Sequence, residues 1–425
     1  MDGLRTSKKL RTLLLIGALL FALTIVGLFL MARFSTQDTE EGQVIKIGLI
    51  APLTGSNQAG GVSMLHGVRL AVENINKRGG IKGRRVVLTV YDDADDPAKC
   101  LAATKQLIFI DNVKAIIGPF SSRCALEIKG LINSCGIPLI SPVAMADSLN
   151  QGNDYVFRNT LGVTDAQAKI NNFVDEKKGQ YILLEGFNAK TIGIIWQDDL
   201  WGKAMYETVL ADLRRLGRED ALTFAFPFAL GQSEFSKLYN DEKGNFPDII
   251  YVISSGAEAI PLVKEGRDAG FSGIFIGEGG FNSAIFDEQL GAYADGCVFS
   301  TQWHPSFSTP MSDVFLKEYK AKYESIPDMF AALSYESVYL LRDSLNNVIS
   351  SLGEDNFSDI LRDDLSKVKM FSGFSGPIYY NKFGQADRDV FILQKRWDGN
   401  EIQAFIIYPT RYSQNSIKWN FEISD

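Results

Sequence analysis

The sequence predicts an α/β protein of two wound domains, preceded by one membrane-spanning helix. Three observations carry that reading. From Val44 onward short β-rich runs alternate with amphipathic segments, a second series of the same kind begins after Thr160, and one uncharged apolar run of spanning length stands near the N-terminus. With 425 residues, 46% of them apolar and 22% charged, the chain is long enough for two ordinary domains; disorder, collagen and small disulfide scaffolds are excluded.

The apolar run is Thr12–Ala32, led by Arg5, Lys8, Lys9 and Arg11. At about 1.5 Å per residue it reaches roughly 30 Å, the thickness of a hydrocarbon core, whereas the apolar part of a cleaved signal runs to about 7–15 residues. Residues 1–11 are therefore expected in the cytoplasm, 12–34 as an anchor or uncleaved signal, 35–43 as a linker and everything beyond outside the membrane, because the basic residues lie before the run and Asp38, Glu40 and Glu41 after it. A cleaved signal is the alternative.

The first series reads as strand Val44–Leu53, helix Val62–Lys77, strand Arg85–Tyr91, helix Pro97–Ile110, strand Val113–Gly118, helix Arg123–Ser134 and strand Ile137–Ser141. In the first helix Val62, Leu65, Val68, Val72 and Ile75 recur at spacings of three and four, which gives one apolar face, and Gly79-Gly80 stops it. After Tyr155–Thr160 come helix Asp165–Glu176, strand Thr191–Trp196, helix Gly202–Leu216, strand Leu222–Phe226, helix Glu234–Tyr239, strand Asp248–Ser254, helix Ala257–Ala269, strand Gly273–Gly277 and strand Cys297–Gln302. Helices then return at Asp313–Tyr323, Met329–Ser350 and Phe357–Val368, followed by β-rich Pro377–Tyr380 and Asp389–Trp397. A late return to helices is expected to complete the first domain.

Catalytic patterns are missing. The sequence has no GxSxG, GxxxxGK[ST], GxGxxG, CxxC or HExxH, and its two histidines, His66 and His304, read as surface or loop residues. Four scattered cysteines and two histidines exclude most common metal sites, and Asp92-Asp93-Ala94-Asp95-Asp96 reads as helix caps more readily than as a Ca²⁺ loop. The balance of 43 basic against 51 acidic residues, with no basic stripe beyond the first dozen residues, argues against nucleic acid as a partner. Small polar residues instead collect at three strand ends, Leu53-Thr54-Gly55-Ser56, Gly118-Pro119-Phe120-Ser121-Ser122 and Ser141-Pro142-Val143-Ala144-Met145. Such ends are where α/β sheets hold ligands, and they also serve as plain turns and caps.

The ordered string Pro52-Leu53-Thr54-Gly55, Gly67-Val68-Arg69-Leu70-Ala71, Ile75-Asn76, Gly79-Gly80-Ile81-Lys82-Gly83, Tyr91-Asp92-Asp93, Asp96-Pro97, Ile117-Gly118-Pro119 and Ser141-Pro142 closely resembles the branched-chain amino-acid-binding proteins of ABC transporters, from about Val44 to about Trp397. The resemblance implies a type I periplasmic-binding-protein clamshell: two Rossmann-like lobes joined by three crossovers, near Thr160–Val163, Ser300–Gln302 and Gly384–Asp387. Lobe one is then 44–160 with 302–385, lobe two 161–301 with 386–410, and 411–425 a tail. It also implies a ligand site. Ser122 and a backbone group at Val143 hold the ligand carboxylate, Trp201 and Phe330 take aromatic positions, Met145 replaces a usual Thr, Ser255 replaces an aromatic, and Glu278 stands one position before the expected ammonium-binding acid. The implied activity is capture of a small polar solute, an amino acid or related compound, for delivery to an ABC permease, with no enzyme chemistry and no cofactor. A ligand-binding sensor subunit with a separate signalling partner is the alternative.

Export also bears on the cysteines, which meet an oxidising compartment. Cys124 and Cys135 share one helix, roughly 16 Å apart, too far to bond. Cys100 and Cys124 open the first turns of adjacent helices, after strands expected to be neighbours, and are the disulfide candidates; Cys135 and Cys297 are expected as buried thiols.

Overall fold

The computed structural model describes residues 44–150, 155–166, 189–307 and 309–408. Thr12–Ala32, the tail from 411 and most of the helix expected over Asp165–Glu176 lie outside them. Among the described residues no helix is long and apolar enough to cross a membrane.

Two parallel-rich sheets organise the chain. The first runs in the order β2 (Arg85–Asp92), β1 (Val44–Ala51), β3 (Ala115–Ile117), β4 (Leu139–Ser141), β5 (Val156–Arg158), all parallel. Helices α1 (Gln58–Lys77), α2 (Pro97–Phe109) and α3 (Ser122–Cys135) make its crossovers. Alternate residues of β1 feed two cores: Ile45, Ile47 and Leu49 pack on the α1 side, and Ile50 packs with α2 and α3. Central β1 separates β2 from β3, so the strands preceding α2 and α3 are not neighbours as the sequence suggested. The two helices nevertheless pack side by side, because the crossover from β2 to β3 passes over β1.

The second sheet has the order β15 (Ile402–Tyr408), β14 (Phe391–Trp397), β10 (Val298–Thr301), β9 (Ile274–Gly277), β8 (Ile249–Ile253), β6 (Ile192–Gln197), β7 (Leu222–Phe228). Strands β6 to β10 pair in parallel, while β14 and β15 close the edge antiparallel. Helices α4 (Leu200–Arg215), α5 (Ser236–Glu242), α6 (Ala259–Asp268) and α7 (Ala284–Leu290) cover it. All five residues of β8 are buried: Ile249, Tyr251 and Ile253 face one core, Ile250 and Val252 the other. A fully buried central strand of this kind reads as a continuous apolar run.

The late helices α8 (Pro310–Tyr323), α9 (Met329–Val348) and α10 (Phe357–Lys367) join the first core. Helix α9 lies so close to α1 that a Cβ on Gly67 would sit 2.1 Å from the Ala331 carbonyl oxygen, so only glycine fits there. His66 stacks on Tyr323 at 3.9 Å, packing α1 on α8. A small antiparallel sheet, β11 (Met370–Gly373), β12 (Gly376–Tyr380) and β13 (Ala386–Asp387), then leads into β14.

The chain thus passes between the sheets three times, after β5, after β10 and after β13. Buried polar contacts tie these passages together. Gln302 donates to Thr160 Oγ1 at 2.7 Å and accepts the Leu161 N–H at 3.2 Å, and Arg158 donates to Gln385 Oε1 at 2.6 Å. Arg388 pairs with Glu336 at 2.9 Å and donates to the Asn159 carbonyl at 3.0 Å, while Tyr380 donates to Asn159 Oδ1 at 2.7 Å. Removing one partner of a buried pair strands the other charge, at a cost of about 3–5 kcal/mol, whereas replacing both with apolar residues of similar volume is often neutral. Glu336→Ala is accordingly expected to lower the chemical-denaturation midpoint sharply. Glu336→Leu combined with Arg388→Met should recover most of the loss, and additive losses in that double variant would contradict the assignment.

Candidate functional site

Between the sheets lies a cavity lined by strand-end loops of both. All seven residues singled out in the sequence line it: Ser122, Val143, Met145, Trp201, Ser255, Glu278 and Phe330. Ser122 opens α3, whose N-cap is Ser121, and its oxygen accepts the backbone N–H groups of Met145 at 3.2 Å and Ala146 at 3.0 Å. With both lone pairs occupied, the Ser122 hydroxyl has its proton left to donate, and a ligand anion at a helix N-terminus is its natural acceptor. The amides after Val143 are directed elsewhere: Ala144 N–H goes to Ser141 Oγ at 3.2 Å and the next two to Ser122. Ser121 lines the cavity too, with its hydroxyl accepting the Cys124 N–H at 3.4 Å as the cap of α3.

The body of the cavity is apolar. Phe330, second residue of α9, meets Phe120 edge-to-face at 5.1 Å, and Met145 and Trp201 pack against the second core from opposite sides of the cleft. Opposite Ser122 stand two carboxylates. Glu278 follows β9 and accepts from the hydroxyls of Tyr251 at 2.9 Å and Ser300, and burial pushes its pKa up to about 7. Asp199 is the N-cap of α4, accepting from Gly202 N–H at 2.8 Å and Gln197 Nε2 at 2.6 Å, and burial raises its pKa as well. No Lys, Arg or His is among the lining residues. The cavity therefore offers the Ser122 hydroxyl as a donor, an apolar wall and an acidic side. Sequence reading did not name Asp199, Phe120, Thr160, Asn282 and Gln302 as site residues, although Phe120 lies in one of the three strand ends, Thr160 and Gln302 in expected crossovers, and Asp199 before a helix.

Ser255 is engaged with the protein rather than open to a ligand. Its hydroxyl lies 2.7 Å from Gln197 Oε1 and 3.2 Å from Asn57 Oδ1, and Asn57, only 2% exposed, donates to Asp95 Oδ2 at 2.6 Å. Asp95 in turn pairs with Arg123 at 3.0 Å, and the Ala257 N–H reaches the Ser56 carbonyl at 3.4 Å. These contacts join the loop after β1 to the loop after β8 across the mouth of the cavity. Cys100 and Cys124 are both buried thiols here: their sulfurs are brought together within 4.8 Å without a bond.

A mostly apolar cavity between two wound sheets, with polar groups at strand ends, has the form of a small-molecule binding site. The chain belongs to the periplasmic binding protein family, whose profile it matches over residues 44–400, and its fold is the type I binding-protein fold. It is 27% identical to the Leu/Ile/Val-binding protein BraC3 of Rhizobium johnstonii over 361 residues, 85% of this chain and 93% of that one. The structure of the branched-chain amino acid transporter substrate-binding protein LivJ of Streptococcus pneumoniae, in complex with isoleucine, is 28% identical and superposes with a TM-score of 0.73, covering 86% of this chain and all 100% of that one. A solute-binding protein of an ABC transporter from R. palustris in complex with benzoate, 19% identical, shares the fold with a TM-score of 0.73 over 85% of this chain and 95% of that one.

If the contacts at the mouth hold the lobes together, Asn57→Ala removes the acceptor for Ser255 and the donor to Asp95 without touching a ligand. The expected result is faster ligand release, roughly tenfold, with a nearly unchanged association rate, read by stopped-flow fluorescence. An unchanged release rate would show that the mouth contacts do not hold closure.

Proposed function

We propose that the protein captures a small zwitterion, an α-amino acid with an apolar side chain, between its lobes and delivers it to an ABC permease. The supporting observation is the polarity of the cavity: a hydroxyl donor at the N-terminus of α3 faces two carboxylates, Asp199 and Glu278, with no lining cation. A purely anionic ligand of the benzoate kind would meet two acids with no cation among the lining residues. An amino acid presents its carboxylate to Ser122, its ammonium to the acidic side and its body to Phe330, Trp201 and Met145. Ligand binding then selects the closed arrangement by its differential affinity for it. The lobes are 44–160 with 302–385 and 161–301 with 386–410, a division supported by sheet membership and by the packing of α9 on α1 except at its last boundary, where Ala386–Asp387 pairs with β12 and stays with the first lobe.

Titration calorimetry with L-isoleucine and with 3-methylpentanoate, which keeps the carboxylate and body but lacks the ammonium, tests this reading. L-Isoleucine is expected to bind at least a hundredfold more tightly; equal affinities would overturn it. Ser122→Ala should weaken L-isoleucine about ten- to a hundredfold, since a hydrogen bond to a charged group is worth about 1.5–3 kcal/mol.

Glu278 gives opposite signs for stability and binding. Its pKa is raised to about 7 from an ordinary 4.5, so its ionisation costs the unliganded fold stability as pH rises from about 4.5 to 7, and that stability returns as pH falls. Ammonium binding needs the ionised form, so affinity falls as pH drops below 7. Glu278→Gln should therefore raise the melting temperature of the unliganded protein at pH 8 while weakening L-isoleucine more than tenfold; a variant that loses both stability and affinity would mark Glu278 as structural only.

The run Thr12–Ala32 further supports a single-pass anchor that keeps the module at the outer face of the membrane. Intact mass of protein extracted from membranes should include that run, whereas a chain starting near Ser35 would identify a cleaved signal.

A further inference from the structure

Behind the mouth contacts sits a group of side chains that ligand binding does not use. Cys100, in the first turns of α2, and Cys124, near the start of α3, are both 0% exposed, and their sulfurs and a carboxylate oxygen of Asp93 all lie within 4.8 Å of one another. The Cys100 sulfur is 3.8 Å from the Cys124 carbonyl oxygen, and the Cys124 sulfur is 3.5 Å from Asp95 Oδ1. Asp93 is 1% exposed; its Oδ1 accepts the Asp95 N–H at 2.9 Å, and its Oδ2 has no hydrogen-bond partner. Three donor groups lie mutually close, with Asp95 already paired to Arg123 and Asn57, whereas two thiols are the complete set for a cross-link. Their helices already pack side by side.

We propose that Cys100 and Cys124 are an oxidation site, joined by thiol–disulfide exchange into a cross-link between α2 and α3. One protein thiolate attacks an external disulfide and displaces its first thiolate; the second protein sulfur then attacks the mixed disulfide and displaces the other. The protein sulfurs lose two electrons, the external disulfide gains them, and the two thiol protons leave on the released thiols. The neighbouring Cys124 thiol and burial both push the Cys100 thiol far above the ordinary range, and both cysteines are closed off from solvent once docked, so exchange belongs to the stage before α2 and α3 pack. The cross-link fixes the first turn of α3, from which Ser122 lines the cavity, and replaces the Cys124 thiol beside Asp95, the acid that holds Asn57 and Arg123. Export enters only as the source of oxidant, and the test supplies its own, so failure of the site leaves the solute-binding reading standing.

The full-length chain is refolded with oxidised glutathione or with dithiothreitol, alkylated in denaturant, digested without reduction and mapped by mass spectrometry. The oxidised sample is expected to yield a Cys100–Cys124 linked peptide with alkylation only at Cys135 and Cys297, and to melt about 5–10 °C above the reduced sample, because the link closes a loop of some 25 residues. Cys100→Ser and Cys124→Ala should each abolish the difference between the two samples, while Cys135→Ser should preserve it. Four alkylated cysteines in the oxidised sample, a link through Cys135 or Cys297, or a melting temperature that responds to a chelator and not to reductant would each overturn the proposal, the last by making the cluster a metal site. The wild-type peptide map decides the matter even where a variant fails to fold.

Discussion

Arg388 and Glu336 meet 2.9 Å apart with almost no exposure, at the place where the chain passes between its two sheets. Asn159, just before the first passage, is held by the same pair of elements: its carbonyl accepts from Arg388, its amide nitrogen donates to the Leu333 carbonyl at 3.0 Å, and its amide oxygen accepts from Tyr380. A buried pair of this kind gains little stability over an apolar replacement, but it penalises every arrangement that separates its members. It fixes how the three passages run together, and so how the strand ends of the two sheets face each other.

Everything the cavity can do follows from that placement. Strand-end loops of the first sheet bring an acceptor-saturated hydroxyl, Ser122, to one wall, and those of the second bring Asp199 and Glu278 to the other. Two backbone amides leave the Ser122 proton the only part of that group to offer, and burial lifts Glu278 to the edge of ionisation near neutral pH. Asn57 and Ser255 then connect the loops at the mouth, so closure has a protein-protein component in addition to what the ligand supplies.

Much of this was legible in the sequence. The apolar spacing of α1, the cap at Asp96 before Pro97 and the continuous apolar run of β8 each follow a local rule, and the ordered motifs placed seven residues on one cavity. Other elements escaped for identifiable reasons. Helix α7 has only seven residues, β11 is half-exposed with mixed polarity, and β15 buries its last residues on both sides, so none shows a clean period. The role of Ser255 was hidden because a hydroxyl in a strand-end loop looks the same whether it serves a ligand or, as here, Gln197 and Asn57. Gln302, Arg388 and Glu336 escaped because buried polar contacts between distant passages leave no local pattern.

Proton linkage measures the central claim most directly. Calorimetric titration of L-isoleucine at pH 7 in two buffers of different ionisation enthalpy gives the number of protons exchanged on binding. With Glu278 near pKa 7 and ionised when it meets an ammonium, binding should release about half a proton, and the release should disappear in Glu278→Gln. Proton uptake, or a release that survives that substitution, would contradict the assignment of the acidic wall to the ligand's positive group.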